Sequence, residues 1–214
     1  MRGLDLHPEN RHSRGDVSLH PGNRLLIWLA GIWIAQNAFL TLSVGIRNFW
    51  YIHYFNLAYK RIWVFAFLIL VFIGLVTVYI KVRERKTLRY LLIQNSLVAY
   101  VLFVALSFVN WDMVIARFNL NRAHKAFFHT DFMVTLDSNT LPVLLLDPDH
   151  LARIEKAQKE MFTYDENYLP FVNYNKRLHE RRNLYLEGYP QLKWPGWNVA
   201  DYRTYLKLKG EGLP

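Results

Sequence analysis

Four polar residues stand where a reaction at a membrane surface would need them: Arg47, His53, Asp112 and Arg117. A carboxylate and an imidazole are a common proton-transfer pair. Arginine holds phosphate or carboxylate through two parallel hydrogen bonds. All four border long apolar runs, so the substrate they suggest is a lipid or an envelope precursor. The simpler reading is structural: Asp112 caps a short helix and pairs with Arg47, Arg61 or Arg117. Two other clusters hold metal-ligand residue types, His124 with His129 and Asp131, and Asp147 with Asp149 and His150. Helical metal sites favour ligands four apart, and neither cluster has that spacing, so no metal is expected. Asp147 and Asp149 read better as the cap and first turn of a helix.

Lys176, Arg177, Arg181 and Arg182 form a basic face suited to anionic lipid or an acidic partner. Asp165, Glu166, Glu180 and Glu187 lie close by, and an ordinary solvated face is the simpler reading. The chain has no cysteine, which removes disulfides, thiolate metal sites and cysteine nucleophiles. It carries no G-x-S-x-G, P-loop, G-x-G-x-x-G or kinase motif. No cofactor is expected, and no motif rises to a reaction mechanism.

What must position these groups is a bilayer. Residues 62–80, IWVFAFLILVFIGLVTVYI, contain no charge and are followed at once by Lys81, Arg83, Arg85 and Lys86. At ~1.5 Å rise per residue, such a run matches a hydrocarbon core roughly 30 Å thick. Residues 25–46 and 90–109 are also uncharged and long enough to span. Three fully buried helices in a soluble protein would need more cover than a chain of 214 residues supplies. Trp50, Tyr51, Tyr54, Tyr59 and Trp63 crowd around a predicted loop at 46–61, as an aromatic belt does at headgroup depth. A lipid or ligand cleft under these rings is the alternative. Gln36, Asn37, Gln94, Asn95 and Ser96 fall inside the runs, where interhelical hydrogen bonds are expected.

Charge sets orientation. The net charge is +9. Residues 1–109 hold 12 Lys/Arg against 4 Asp/Glu, whereas residues 110–214 hold 14 against 13. The excess flanks apolar runs, which argues for topology and headgroups and against nucleic acid. Nine basic residues fall on the side of the N-terminus and the 81–89 loop, six on the other. The positive-inside rule then places residues 1–24 and 81–89 in the cytoplasm and the C-terminal half outside.

Residues 1–24 are polar and contain no signal-peptide core. From residue 110 the pattern is helical: short helices near 112–120, 130–136 and 140–146, then one after Asp147-Pro148, one at 173–187 stopped by Gly188, and one from Asn198 to about Gly210. The expected architecture is all-α: a polar segment 1–24, a membrane domain 25–109, and an all-α extramembrane domain 110–214.

Several stretches carry a family resemblance: Trp33-Ile34-Ala35-Gln36-Asn37; Arg47-Asn48-Phe49-Trp50-Tyr51-Ile52; Tyr54-Phe55-Asn56-Leu57-Ala58-Tyr59-Lys60-Arg61-Ile62; Asn110-Trp111-Asp112-Met113-Val114-Ile115-Ala116-Arg117-Phe118-Asn119-Leu120; Asp131-Phe132 with Leu141-Pro142-Val143-Leu144; and Trp197-Asn198-Val199-Ala200-Asp201-Tyr202-Arg203. Together, from about residue 14 to residue 208, they resemble a family of bacterial multi-pass membrane proteins known only as a domain of unknown function. The family pattern favours Tyr-Gly-Leu-Thr where this chain has Phe55-Asn56-Leu57-Ala58. Asparagine tolerates the left-handed backbone that glycine would supply, so the turn survives, and Asn56 is expected to replace the lost Thr as a cap. Members usually carry several spans before the matched part, so the resemblance implies a C-terminal portion. It also implies the bacterial cytoplasmic (inner) membrane, with the bilayer, other membrane proteins or preceding spans as partners. It implies no activity. Two functions remain: a non-enzymatic scaffold, sensor or assembly partner, or a membrane enzyme or transport component using Arg47, His53, Asp112 and Arg117.

Overall fold

The structure, a computed structural model, describes residues 21–162, 169–191, 196 and 198–210, with side chains from residue 24 onward. Residues 1–20, Asp165, Glu166 and Trp197 therefore lie outside the described residues. Among those described there are helices and no strands. Three long helices come first, α1 (Pro21–Phe55), α2 (Tyr59–Glu84) and α3 (Leu88–Ser107). Each is long and apolar enough to cross a membrane. The helices α4 (Trp111–Asn121), α5 (Thr130–Thr135), α6 (Leu141–Leu144), α7 (Pro148–Met161), α8 (Phe171–Gly188) and α9 (Val199–Lys209) follow, with 3-10 turns at Ser138–Thr140 and Tyr189–Gln191.

The first helix corrects the loop expected at 46–61. No proline interrupts the chain after Pro21, and the aromatic residues recur four apart, so helix is favoured through Phe55. Trp50 stacks on Tyr54 and Tyr51 meets Phe55, with ring centroids 6.1 and 6.2 Å apart. The Arg47 guanidinium lies 5.6 Å over the Tyr51 ring. At 35 residues α1 is roughly 50 Å long, well beyond a ~30 Å hydrocarbon core. Only Asn56-Leu57-Ala58 separates α1 from α2.

Within this apolar part α2 packs against both α1 and α3. Few of its side chains are enclosed: Ala66, Leu75 and Thr77 are buried in α2 and none is buried in α3. Large apolar residues such as Phe39, Phe67 and Tyr100 are more than 60 % exposed, as suits a lipid solvent. Of the polar residues expected to bond between helices, Asn95 does so, its Oδ1 accepting from the Thr77 hydroxyl at 2.9 Å. Asn37 instead donates to Trp33 O in its own helix at 2.8 Å.

Helices α4–α9 enclose a sealed apolar core. Ile115, Phe128, Met133, Leu136, Leu141, Leu144, Ile154, Tyr174 and Leu178 are all at most 1 % exposed. Burying such side chains contributes about 1.5–3 kcal/mol each before entropy is counted. Leu57, Tyr59 and Ile62 pack against this core, so it reaches into the start of α2.

Capping follows the sequence with two corrections. Asn110, not Asp112, is the cap of α4: its Oδ1 accepts from Met113 N at 3.0 Å. Asn56 does not cap α2, whose N-cap is Ala58 without a side-chain bond. Asn198 caps α9 by accepting from Asp201 N at 2.8 Å, and Gly210 closes it in the left-handed conformation at φ 82°. Asp147 takes the expected N-cap position of α7, with Pro148 in the first turn, but its side chain makes no cap bond. The predicted helix at 173–187 begins slightly earlier, at Phe171 behind Pro170, and runs to Gly188.

Candidate functional site

The three residues between α1 and α2 are held from a distance. Asn56 adopts the left-handed backbone expected of it, with φ 62°. Its side chain is 1 % exposed and donates to Phe127 O at 2.9 Å. Leu57 is gripped on both backbone groups by one side chain. Its N–H donates to Asn119 Oδ1 at 2.8 Å, and its carbonyl accepts from Asn119 Nδ2 at 2.9 Å. A primary amide fits a peptide group in this way because it carries an acceptor and a donor side by side.

The last carbonyls of α1, which a helix leaves without partners, are satisfied by the same neighbours. Arg122 donates to His53 O at 3.1 Å, and Phe127 N donates to Tyr54 O at 2.9 Å. Arg61 donates to Phe55 O at 2.7 Å and also to Asn56 O. From the other side, Asn48 Nδ2 reaches Arg61 O at 3.0 Å. The segment presenting Phe127 is itself organised by Gln158, which is fully buried in α7. Gln158 accepts from Phe128 N at 2.9 Å and donates to Ala123 O and Ala126 O at 2.6 and 2.9 Å. Distant residues thus bond His53, Tyr54, Asn56 and Leu57, and nearby Arg61 bonds the carbonyls of Phe55 and Asn56. The result is a hydrogen-bonded joint between the apolar helices and the C-terminal ones.

Asp112 belongs to the edge of this joint. Its Oδ1 accepts from the Tyr59 hydroxyl and from Asp137 N, the latter at 3.1 Å. Among the described residues it makes no ion pair, so the expected pairing with Arg47, Arg61 or Arg117 is corrected. Arg61 turned to backbone carbonyls and Arg47 to Tyr51, 3.3 Å from its hydroxyl. His53 lies 3.4 Å from Arg122 through Nδ1. Arg117 sits apart, on the wall of a cavity with Arg203 and Lys207. The four residues singled out for chemistry are thus not brought together.

The other candidates are distributed as follows. Trp50 and Tyr54 form an exposed stack, and a shallow cavity of about 190 Å³ lies among Arg47, Trp50, Tyr51, Tyr54 and Phe55. Trp63 meets Phe103 of α3 at 6.4 Å. Tyr59 differs from these: it turns towards the core, edge-on to Phe132 at 6.1 Å. Lys81 and Arg83 end α2, Arg85 closes it at φ 53°, and Lys86 pairs with Glu84 at 3.3 Å. Among the described residues no group of three metal-ligating side chains forms, although the His124 and His150 rings stack at 6.2 Å. The basic face on α8 is only partly solvated. Arg181 donates to Val134 O and to Leu136 O, the latter at 2.8 Å, and Arg182 to Leu208 O at 3.1 Å. Lys176 keeps a loose pair with Glu180 at 4.0 Å.

One titratable group stands out beside the joint. His129, just before α5, has its pKa lowered, first by burial and further by Arg61, with Asp131 opposing. Its imidazole is therefore held neutral more firmly than a free one.

Asn119, Arg122 and Gln158 are the residues that sequence reasoning missed. Asn119 follows Ile115 and Ala116 on the buried face of α4, and Gln158 follows Leu151 and Ile154 on that of α7. A polar residue on an apolar stripe signals a buried partner, since burying an unbonded amide is costly.

Residues 20–146 match the family described as Domain of unknown function (DUF4153). That match takes in the three apolar helices, the connector and α4–α6, and leaves α7–α9 and the stretch at 197–203 outside. No curated protein and no solved structure matches the chain. With more than half of its length matched, the chain belongs to the DUF4153 family.

Proposed function

We propose that this protein is a non-enzymatic membrane scaffold, sensor or assembly partner that carries a helical domain, residues 110–214, on three membrane-spanning helices. The observation that carries the reading is the joint. The backbone N–H and carbonyl of Leu57, the last three carbonyls of α1 and that of Asn56 are bonded from α2, α4 and the segment before α5. A joint made this way fixes the bundle relative to the membrane, which suits positioning or signalling and is not required for chemistry on a diffusing lipid. The open faces of α3 leave room for further membrane helices as partners. The reading places the protein in the cytoplasmic membrane of a bacterium, with the helical domain extracytoplasmic and the Arg85 turn in the cytoplasm. An interfacial enzyme using Arg47, His53, Asp112 and Arg117 gains no support from their separate placements.

Affinity purification from native membranes tests the reading. A stoichiometric membrane-protein partner should be retained by the wild type and lost with Asn119→Leu. Retention of no partner above an empty-tag control, or equal retention by both, contradicts it. Reporters fused after Arg85 and after Pro214 should read cytoplasmic and extracytoplasmic; the same side for both contradicts the orientation.

A further inference from the structure

Away from the joint, the surface between α4, α6 and α9 encloses a cavity of about 200 Å³. Arg117 lines it from α4, and Arg203 and Lys207 line it from α9; among the described residues no carboxylate does so. Among the described residues none of the three has an ion pair. Arg203 and Lys207 stand four apart on one helix, a spacing at which like charges repel. Folding brings Arg117 to the same wall and adds to that repulsion. All three residues are exposed, and much of the remaining wall is apolar, including Met113, Pro142 and Val143. Asn139, on the same wall, donates its Nδ2 to Asp137 at 2.8 Å, while its Oδ1 is buried without a donor. Three cations without an ion pair among the described residues thus share one wall, and a bound anion would relieve their mutual repulsion.

We propose that this cavity binds the phosphate of a small phosphoester. Its size lies below the ~300–1,000 Å³ of sites for drug-sized ligands and suits a tetrahedral oxyanion with little attached. Pro142 and Lys207 also border a second cavity of about 410 Å³, where Asp147, Asn175 and His179 offer polar partners. The organic part of the ester lies there, with its hydroxyl or amine directed to those groups. The same chemistry is presented by a soluble phosphomonoester and by a phospholipid headgroup.

Two arms on the full chain in dodecyl maltoside separate these sources. In the first, glycerol 3-phosphate is titrated calorimetrically. In the second, micelles are doped with phosphatidylglycerol or phosphatidylcholine, and bound lipid is read by native mass spectrometry. Saturable binding is expected in at least one arm; binding in the first identifies a soluble ester, and binding of phosphatidylglycerol alone a headgroup. R203E/K207E should weaken it about tenfold or more, and R117Q by several-fold. K156E/R177E makes the same charge change at exposed positions elsewhere and should leave it intact. Should R203E/K207E fail to fold, R203Q/K207Q gives the same reading without charge reversal. Absence of saturable binding in both arms, or equal loss in K156E/R177E, overturns the proposal.

Discussion

The two ends of α2 are built on different principles. At its far end, among the described residues, the chain turns into α3 on local bonds alone. Arg85 takes the left-handed conformation, Lys86 N donates to Lys81 O at 3.1 Å, and Thr87 caps α3 by accepting from Tyr90 N at 3.4 Å. At its near end, the connector from α1 is bonded by Asn119, Arg122 and Phe127, residues more than sixty positions away in sequence. One turn needs only its own residues. The other is also bonded from the C-terminal part, which ties the two parts of the molecule together.

The sharpest break in that contrast is Asn119→Leu. It removes the partner of both backbone groups of half-buried Leu57 and should cost about 1–3 kcal/mol, read as a lowered unfolding midpoint in detergent. Thr87→Ala, the matching loss at the far turn, should cost only about 0.5–1 kcal/mol. Equal effects would erase the distinction between the two ends.

Asn56 separates the two contributions within the joint. Asn56→Gly keeps the left-handed backbone and loses the bond to Phe127 O, whereas Asn56→Ala loses both. Alanine should cost about 1–2 kcal/mol more than glycine, because a Cβ disfavours that conformation. Indistinguishable unfolding midpoints would mean that backbone strain plays no part.

The smallest effect is that of one proton. His129 has a folded pKa below its unfolded value, so the unfolded chain binds the proton first. Stability should therefore fall as pH drops below about 6.5 and level off once pH passes under the folded pKa. Midpoints at pH 7.5 and 5.5 should converge in His129→Gln. An unchanged pH dependence in that variant would place the acid sensitivity elsewhere.

The apolar runs, the cap at Asn198, the stop at Gly188 and the left-handed turn at Asn56 were legible because each depends on residues close in sequence. The length of α1 was not: its aromatic end looks like an interfacial loop until the i, i+4 stacks of Trp50 on Tyr54 and Tyr51 on Phe55 are recognised as helical. The joint was less legible still. Asn119 and Leu57 are paired only by tertiary packing, and no local pattern names the partner of a buried amide. Asp112 misled for a related reason. Next to a span end it reads as a cap, yet Asn110 two residues earlier takes that place and leaves Asp112 for Tyr59.

Amide hydrogen exchange of the full chain in lipid nanodiscs tests the joint most directly. The Leu57 and Phe127 amides, bonded to Asn119 Oδ1 and Tyr54 O, should be protected about as strongly as the amides of α4, while those of Lys86 and Thr87 exchange much faster. Exchange at Leu57 and Phe127 as fast as at the far turn would contradict the account.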